Sequence, residues 1–410
     1  ALETSFANAG QISVSYCEPW ANREAPLKAL KWMFDKEAPL LFRPQLDWDQ
    51  WRWGLKFLAQ CNDTAFERNV QQIVALGAYS HAALKDLVAS TGIEYNRLER
   101  GIAHFYTDQK SFDAAGHAVE LMRKFGVQRR LVSRDELLKI EPAFKAYGDK
   151  ITGGTYTSTD ESGDARVFTQ ELARRCAARG AQFLYGHDVL RLNKIGDAID
   201  SVAVIARNTG AGGQKDFILK ADAFVVACGS YSAPLLRTVG VDLPIYPGKG
   251  YSATFPLLKP EGAPMVSTID DGKKIAMSRL GNVLRVAGTI ELGGFDMSLD
   301  SPVARARCHM LSRRIAEILP GVCDTRTPEE GGNPQYWTGL RPATPTNIPF
   351  IGQTRLGKLW VNAGHGTLGW THGAGSGKAM AELLSGEVPA MNFGFLGVQA
   401  PRAVRGAVAA

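Results

Sequence analysis

Apolar positions recur at helical spacing across residues 26–34, 51–59 and 70–87, which predicts three helices in the first quarter of the chain. Four tryptophans, Trp32, Trp48, Trp51 and Trp53, fall in this stretch and read as aromatic core packing. From residue 101 the period changes. Residues 101–106 and 130–132 read as strands and 112–125 as a helix. Ser133 followed by Glu136 is a helix start, with Ser as N-cap and Glu at N3, and Pro142 closes that turn.

Residues 152–230 form the clearest unit. A strand at 153–157 leads into the polar stretch Asp160-Glu161-Ser162-Gly163-Asp164, read as a solvated loop and helix start. A helix at 167–179 ends at Gly180. Strands follow at 181–185, 189–193, 199–207 and 216–220, with a Gly-rich turn at 208–214. Residues 223–229 run without a polar break and close on Gly229, a pattern that suits a parallel sheet covered on both faces. Residues 233–336 read as a mostly antiparallel sheet crossed by one helix at 302–319. Strands at 349–351 and 359–363 and a helix at 376–385 complete the chain before an Ala/Gly/Arg-rich tail.

At 45% hydrophobic and 21% charged, the 410 residues exclude a disordered or collagen-like chain and leave room for two or three domains. The net charge of +6 is spread without a polybasic tract, which argues against a nucleic-acid partner. Six cysteines without a C-x-x-C pair read as reduced, buried thiols and a cytoplasmic home. No apolar run reaches the roughly 18 residues of a membrane span, and no signal-peptide pattern is visible.

Gly364-His365-Gly366-Thr367-Leu368-Gly369 matches G-x-G-x-x-G between a strand and a helix. Too little sheet-forming chain follows for a second strand with an acidic ribose ligand, so it is not the start of a βαβ unit. Its helix N-terminus still offers free N–H groups and a positive dipole, and a plain Gly-rich turn is the other reading. Arg341, between Gly339-Leu340 and Pro342, is a stiffly mounted guanidinium: either a fork for a carboxylate or a surface residue. His365 and His372 lie seven apart without further ligands, so no metal is expected.

Together these motifs resemble the FAD-dependent D-amino-acid dehydrogenase family, among the D-amino-acid and glycine oxidase-like flavoproteins. The stretches that carry the resemblance are Leu2–Ser5 with Asn8–Ser13, Pro26–Ala29 with Lys31–Met33, Asp160–Asp164, Gly229–Ser232, Tyr246-Pro247 with Lys249–Ser252, Trp337–Pro342 and Gly364–Thr371. They run in family order from residue 1 to about 390.

The resemblance implies a mixed α/β fold. A Rossmann-like FAD-binding domain would be built from residues 1–20, 152–232 and 338–392. An antiparallel-sheet substrate domain with helices would take 21–151 and 233–337, with 393–410 as a tail. Family members open with a strand, a G-x-G-x-x-G turn, a helix and a strand, and this chain starts just after them. A segment of about 30 residues, one βαβ unit, is therefore expected to exist, whether cleaved, encoded separately as an N-terminal peptide or subunit, or lying outside this sequence.

The implied activity is oxidative deamination of a D-amino acid to a 2-oxo acid and ammonia, by hydride transfer to FAD. Glycine, sarcosine or a cyclic imino acid such as hydroxyproline are alternative substrates, and a flavin-free fragment needing a partner peptide is a further alternative. Arg341 would clamp the substrate carboxylate, with Tyr251 and Tyr16 hydrogen-bonding alongside. Thr4, Ser5, Asn8, Ala9, Gly10 and Gln11 would touch the cofactor, as would Val189, Ala227, Gly229 and Gly339. Gly364, His365, Gly366, Thr367, Leu368 and Gly369 would bring the helix N-terminus to the flavin. The resemblance also implies a quinone acceptor and peripheral attachment to the inner face of the cell membrane. Val14-Ser15, Cys17-Glu18, Lys273-Lys274 and Thr346-Asn347 depart from the family pattern, so the substrate side chain is not carried over.

Overall fold

The longest helix, Asp63–Thr91, starts where the Asn62 side chain accepts a hydrogen bond from the Ala65 N–H. It stops at Gly92, whose φ of 62° turns the chain out of the helix. The helix belongs to a computed structural model that describes residues 3–32, 38–207 and 216–398. The Gly-rich turn at 208–214, Phe34, the Trp32 side chain and the end of the tail lie outside the described residues.

A nine-stranded sheet dominates. In spatial order it runs Gln335–Ala343, Tyr246–Pro256, Val283–Leu292, Ile275–Leu280, Ser267–Asp270, Ile102–Tyr106, Gly153–Thr157 and Arg130–Ser133, with Leu40–Phe42 beside Val283–Leu292. Most pairs are antiparallel; Ser267–Asp270 runs parallel to Ile102–Tyr106. One face is closed by the helix Pro302–Ile318, whose Ala304, Cys308, Leu311 and Ile315 pack on Ala253, Phe255, Met277 and Leu284. Burying the larger of these, Leu311, Ile315, Phe255, Met277 and Leu284, is worth about 1.5–3 kcal/mol each and fixes the sheet as a platform. Gly153–Thr157 and Gln335–Ala343 are both strands of this sheet, so the domain segments expected to begin at 152 and 338 share its hydrogen bonding.

A second, three-stranded sheet holds Phe224–Val226, Leu359–Ala363 and Phe350–Gln353. Phe224–Val226 lies parallel to Leu359–Ala363, as the apolar pattern suggests, but it is an edge strand and Val225 is 41% exposed. Among the described residues its other edge has no strand partner. A separate antiparallel meander contains His187–Ile195, Ala198–Ala206 and Phe217–Lys220. The strand expected at 181–185 is absent: those residues are coil and turn, with Phe183 and Tyr185 exposed and stacked.

The last helix, Gly369–Leu384, crosses Asp63–Thr91 at close quarters. Gly375 makes this approach possible, because a Cβ there would stand 2.5 Å from the Ser80 Cα, and the Gly375 N–H donates to Ser80 Oγ at 2.9 Å. This crossing sets where the helix N-terminus points.

Two expectations are corrected. Only Trp53 of the described tryptophans in the early cluster is buried; Trp48 is 74% exposed and Trp51 is also exposed. Trp53 donates to the Ala343 carbonyl and stacks on Phe57, while Trp48 and Trp51 occupy a different face of the same helix, Trp48–Ala59. The Asp160–Asp164 stretch is not a solvated loop. Asp160, Glu161 and Ser162 are buried, and the Glu161 carboxylate is satisfied by Arg97 and His81. Ion-pair and hydroxyl partners from distant segments compensate the burial. Asp164 does start a helix, accepting from the Arg166 and Val167 N–H groups. Of the six thiols, Cys17, Cys308 and Cys323 are buried and Cys228 is exposed.

Candidate functional site

The uncovered face of the large sheet, the segment Thr4–Ser13 and the start of the last helix enclose a cavity of about 2000 Å³. That is larger than a pocket for one small molecule, which spans about 300–1,000 Å³. Side chains alternate along strands, so Gly248, Gly250 and Ser252 share a face with Arg341, Gly339 and Trp337, their partners in the neighbouring strand. The glycines leave space that flat side chains fill. A Cβ on Gly339 would lie 2.0 Å from the Trp337 ring, and one on Gly250 would lie 2.0 Å from Arg341 Nη1.

Arg341 is the outstanding group of the cavity. Its guanidinium donates to the Thr289 carbonyl at 3.0 Å, and among the described residues no carboxylate pairs with it. Desolvation alone acts on it and lowers its pKa to about 10. A sheltered cation without a counter-ion favours an anionic ligand.

A second wall is densely polar. The Lys274 ammonium lies 2.9 Å from Asp271 Oδ1. Desolvation opposes its charge, but Tyr16 and Asp271 outweigh this and raise its pKa. Asp271, desolvated in turn, is held well below the usual carboxylate range by His104 and Lys274. Arg129 is buried and donates to Thr155, to Glu18 and to the Tyr106 hydroxyl. Burial raises the Tyr106 and Tyr16 phenols, and it drives the His104 pKa down to about 4. Near neutral pH this wall therefore carries fixed charges.

Tyr16 stands here, its ring edge-on to His104 at 4.7 Å. The turn that carries it is pinned by Asp160, which accepts from Ser13 Oγ at 2.7 Å, Ser15 Oγ at 2.5 Å and the Val14 N–H at 3.1 Å.

The residues expected at the site separate into groups. Thr4, Ser5, Asn8, Ala9, Gly10 and Gln11 line the cavity, and so do Ala227, Gly229 and Gly339. His365, Gly366, Thr367, Leu368 and Gly369 line it at the start of the last helix. Gly364 sits behind them at φ 91°, turning the chain from strand to helix where its Cβ would meet Thr344. Val189 is not part of this wall: it stands exposed on the meander, whose strands pair with each other. Tyr251 borders the cavity but does not offer its hydroxyl there. Its ring belongs to the core on the other face of the sheet, and the hydroxyl donates to Glu291 Oε2 at 2.6 Å. The expectation that Tyr251 hydrogen-bonds beside Arg341 is corrected accordingly, because residues 250 and 251 face opposite sides.

Asp160, Asp271, Lys274, Gly250 and Thr289 were not singled out by sequence reasoning for these roles. Glycines flanking Tyr251 hinted at a flat sheet face; nothing local marked Asp160 as an anchor for a turn 145 residues away.

The chain offers a fitting bed for a large cofactor. The last helix begins without a side-chain cap, so its first N–H groups are met by no capping side chain. Gly373 and Gly377 border the cavity with nothing within 4 Å of where a Cβ would stand. Asn362 Oδ1, also in the wall, is buried without a hydrogen-bond partner among the described residues. His365 donates or accepts at Ser376 Oγ, 2.8 Å away, and burial lowers its pKa to about 4, so the positive potential here comes from the helix.

Comparison with known proteins agrees with this bed. Residues 1–383 match the family DAO, FAD dependent oxidoreductase. The D-amino acid dehydrogenase of Dechloromonas aromatica (strain RCB) is 48% identical over 394 residues, 96% of this chain and 91% of that protein. The enzyme of the same name from Paramagnetospirillum magneticum (strain ATCC 700264 / AMB-1) is 42% identical over 97% of this chain and 90% of its own length. Among solved structures, glycine oxidase from Geobacillus kaustophilus superposes with a TM-score of 0.65 at 23% identity, covering 78% of this chain and 81% of that one, a likeness of fold. With the cavity and its uncapped helix start already in place, these matches assign the chain: it belongs to the DAO family of FAD-dependent oxidoreductases.

Proposed function

We propose that this chain catalyses FAD-dependent oxidative deamination of a D-amino acid, giving a 2-oxo acid and ammonia. The observation that carries the substrate class is Arg341, a cavity guanidinium with one backbone hydrogen bond and no carboxylate partner among the described residues. The D-amino acid assignment rests on the relatives named above.

When bound, FAD supplies the two-electron acceptor for the hydride of the substrate α-carbon. Arg341 holds the carboxylate in a fixed fork, orienting the α-carbon. The N–H groups opening the last helix, with His365–Gly369, supply positive potential where negative charge develops. Tyr16, Tyr106 and Lys274 have raised pKa values and stay protonated, and Asp271 is held ionised as a weak base, so no side-chain base is assigned to the amine proton. The substrate arrives as the neutral amine after losing that proton to water. Thr4, Ser5 and the loop to Gln11 hold the cofactor from the other side, with Ala227, Gly229 and Gly339.

The acceptor after the flavin is proposed to be a quinone reached by peripheral membrane attachment. Among the described residues no helix is long and apolar enough to cross a membrane. The helix Trp48–Ala59 instead carries exposed Trp48, Trp51, Leu55 and Leu58 along one stripe, the last three also bordering the cavity, and such a stripe would suit a helix lying in an interface beside the site. The edge of Phe224–Val226 that has no strand partner among the described residues supports the further proposal that a strand from another segment pairs there.

Steady-state kinetics on the holoenzyme test the substrate reading. Arg341→Ala should lower kcat/KM for the best D-amino acid by at least about 100-fold, and Arg341→Lys, which keeps charge but loses the fork, by less. An Arg341→Ala enzyme within about threefold of wild type would show that the carboxylate is bound elsewhere.

A further inference from the structure

The strands Tyr246–Pro256 and Val283–Leu292 do not pair evenly. Gly250 stands opposite Ile290 and Tyr251 opposite Gly288, so Thr289 is an extra residue, a β-bulge. Its φ is 57°, a conformation that a β-branched residue adopts only when its surroundings impose it. Thr289 is 3% exposed and its hydroxyl is buried without a hydrogen-bond partner among the described residues. Nothing at the side chain compensates either feature. The carbonyl of this same residue, however, leaves the strand ladder and receives the Arg341 N–H at 3.0 Å.

On its other side the guanidinium lies across Gly250. A Cβ there would stand 2.0 Å from Nη1, 2.4 Å from Cζ and 2.7 Å from Nη2, so three atoms of the fork rest where any other residue would put its side chain. No positive φ is required of Gly250; only the space is.

We propose that Gly250 and the Thr289 bulge form a seat that holds the Arg341 fork in register with the substrate, making Gly250 a positioning residue of the reaction. The seat uses one of the five guanidinium N–H donors and supports the plane from beneath, leaving paired donors for a carboxylate. A bulge beside a functional side chain is a known way to aim it. The inference rests on the reading of Arg341 as carboxylate receptor.

The test compares holoenzymes carrying Gly250→Ala, Arg341→Ala and both together. Each is measured for KM and kcat with D-alanine, for the Kd of propionate by calorimetry, and for flavin content by its visible band. Gly250→Ala should raise KM and the propionate Kd at least about tenfold, approaching Arg341→Ala, with kcat at saturation within about threefold and flavin retained.

The double variant removes the clash by removing the guanidinium. Gly250→Ala should therefore lower the melting temperature only while Arg341 is present, a coupling that remains readable even if the single variant folds poorly. Propionate binding by Gly250→Ala within about threefold of wild type, or an equal melting-temperature loss with and without Arg341, overturns the seat. If Arg341→Ala leaves binding unchanged, the carboxylate reading fails; if it weakens binding while Gly250→Ala does not, the seat alone is wrong.

Discussion

Asp160→Ala should destabilise the protein by about 2–4 kcal/mol and loosen the wall that carries Tyr16. The carboxylate is buried and accepts three hydrogen bonds from the turn Ser13–Ser15. Bonds to a charged acceptor contribute about 1.5–3 kcal/mol each, and the donors left behind lose their partner in a site without bulk water. The simple sum overstates the loss, because burial of the charge opposes the bonds. That balance is visible in the direction of its pKa, which desolvation raises despite the three donors.

The direction gives a second, sharper signature. A carboxyl whose folded-state pKa lies above its unfolded value binds its proton more tightly when folded, so the wild type gains stability as pH falls through that folded pKa. The gap between wild type and Asp160→Ala should thus widen as pH drops from 7 towards the unfolded pKa, near 3.9. An ordinary ion-paired carboxylate gives the opposite trend. Urea unfolding at several pH values reads both quantities. A loss below about 1 kcal/mol at pH 7 would refute the anchoring argument, and a gap that narrows with acid would show that the hydrogen bonds outweigh the desolvation.

Other expectations follow from the same geometry. Gly375→Ala should cost about 1–3 kcal/mol of unfolding free energy, because its Cβ meets backbone of Ser80 rather than a side chain that can move. Since the ionisable wall holds its charge through neutral pH, the acid limb of kcat/KM should track the ionisation of the substrate ammonium; two D-amino acids with different amine pKa values should give displaced limbs, and coincident limbs would point to an enzyme base. Trp48→Glu should reduce co-sedimentation with phosphatidylglycerol vesicles while leaving activity with a soluble dye acceptor intact, and unchanged sedimentation would remove this helix from membrane contact.

Much of the site was legible where chemistry and local sequence coincide. Gly364–Gly369 between a strand and a helix signals a helix N-terminus used for binding, and Arg341 next to Pro342 signals a stiff guanidinium; both reach the cavity. Period alone also separated the helix Pro302–Ile318 from the antiparallel strands around it. What escaped depends on contacts across long separations. Asp160 looked solvated because its partners are Ser13 and Ser15, far away in the chain. Trp48 looked like core because hydropathy does not say which face of Trp48–Ala59 is covered. Tyr251 looked like a ligand because a bulge and strand alternation, not composition, decide that it faces Glu291. Thr289 gave no signal, since its importance lies in a φ angle and a carbonyl.

The central claim is that this cavity oxidises a D-amino acid held by its carboxylate. Anaerobic mixing of the purified, flavin-loaded protein with D-alanine and, separately, L-alanine tests it most directly, with the flavin absorbance as the readout. The account predicts rapid bleaching by the D-enantiomer, little by the L-enantiomer, and loss of the D-response in Arg341→Ala. Equal bleaching by both enantiomers, none by any D-amino acid, or a full response from Arg341→Ala would contradict it.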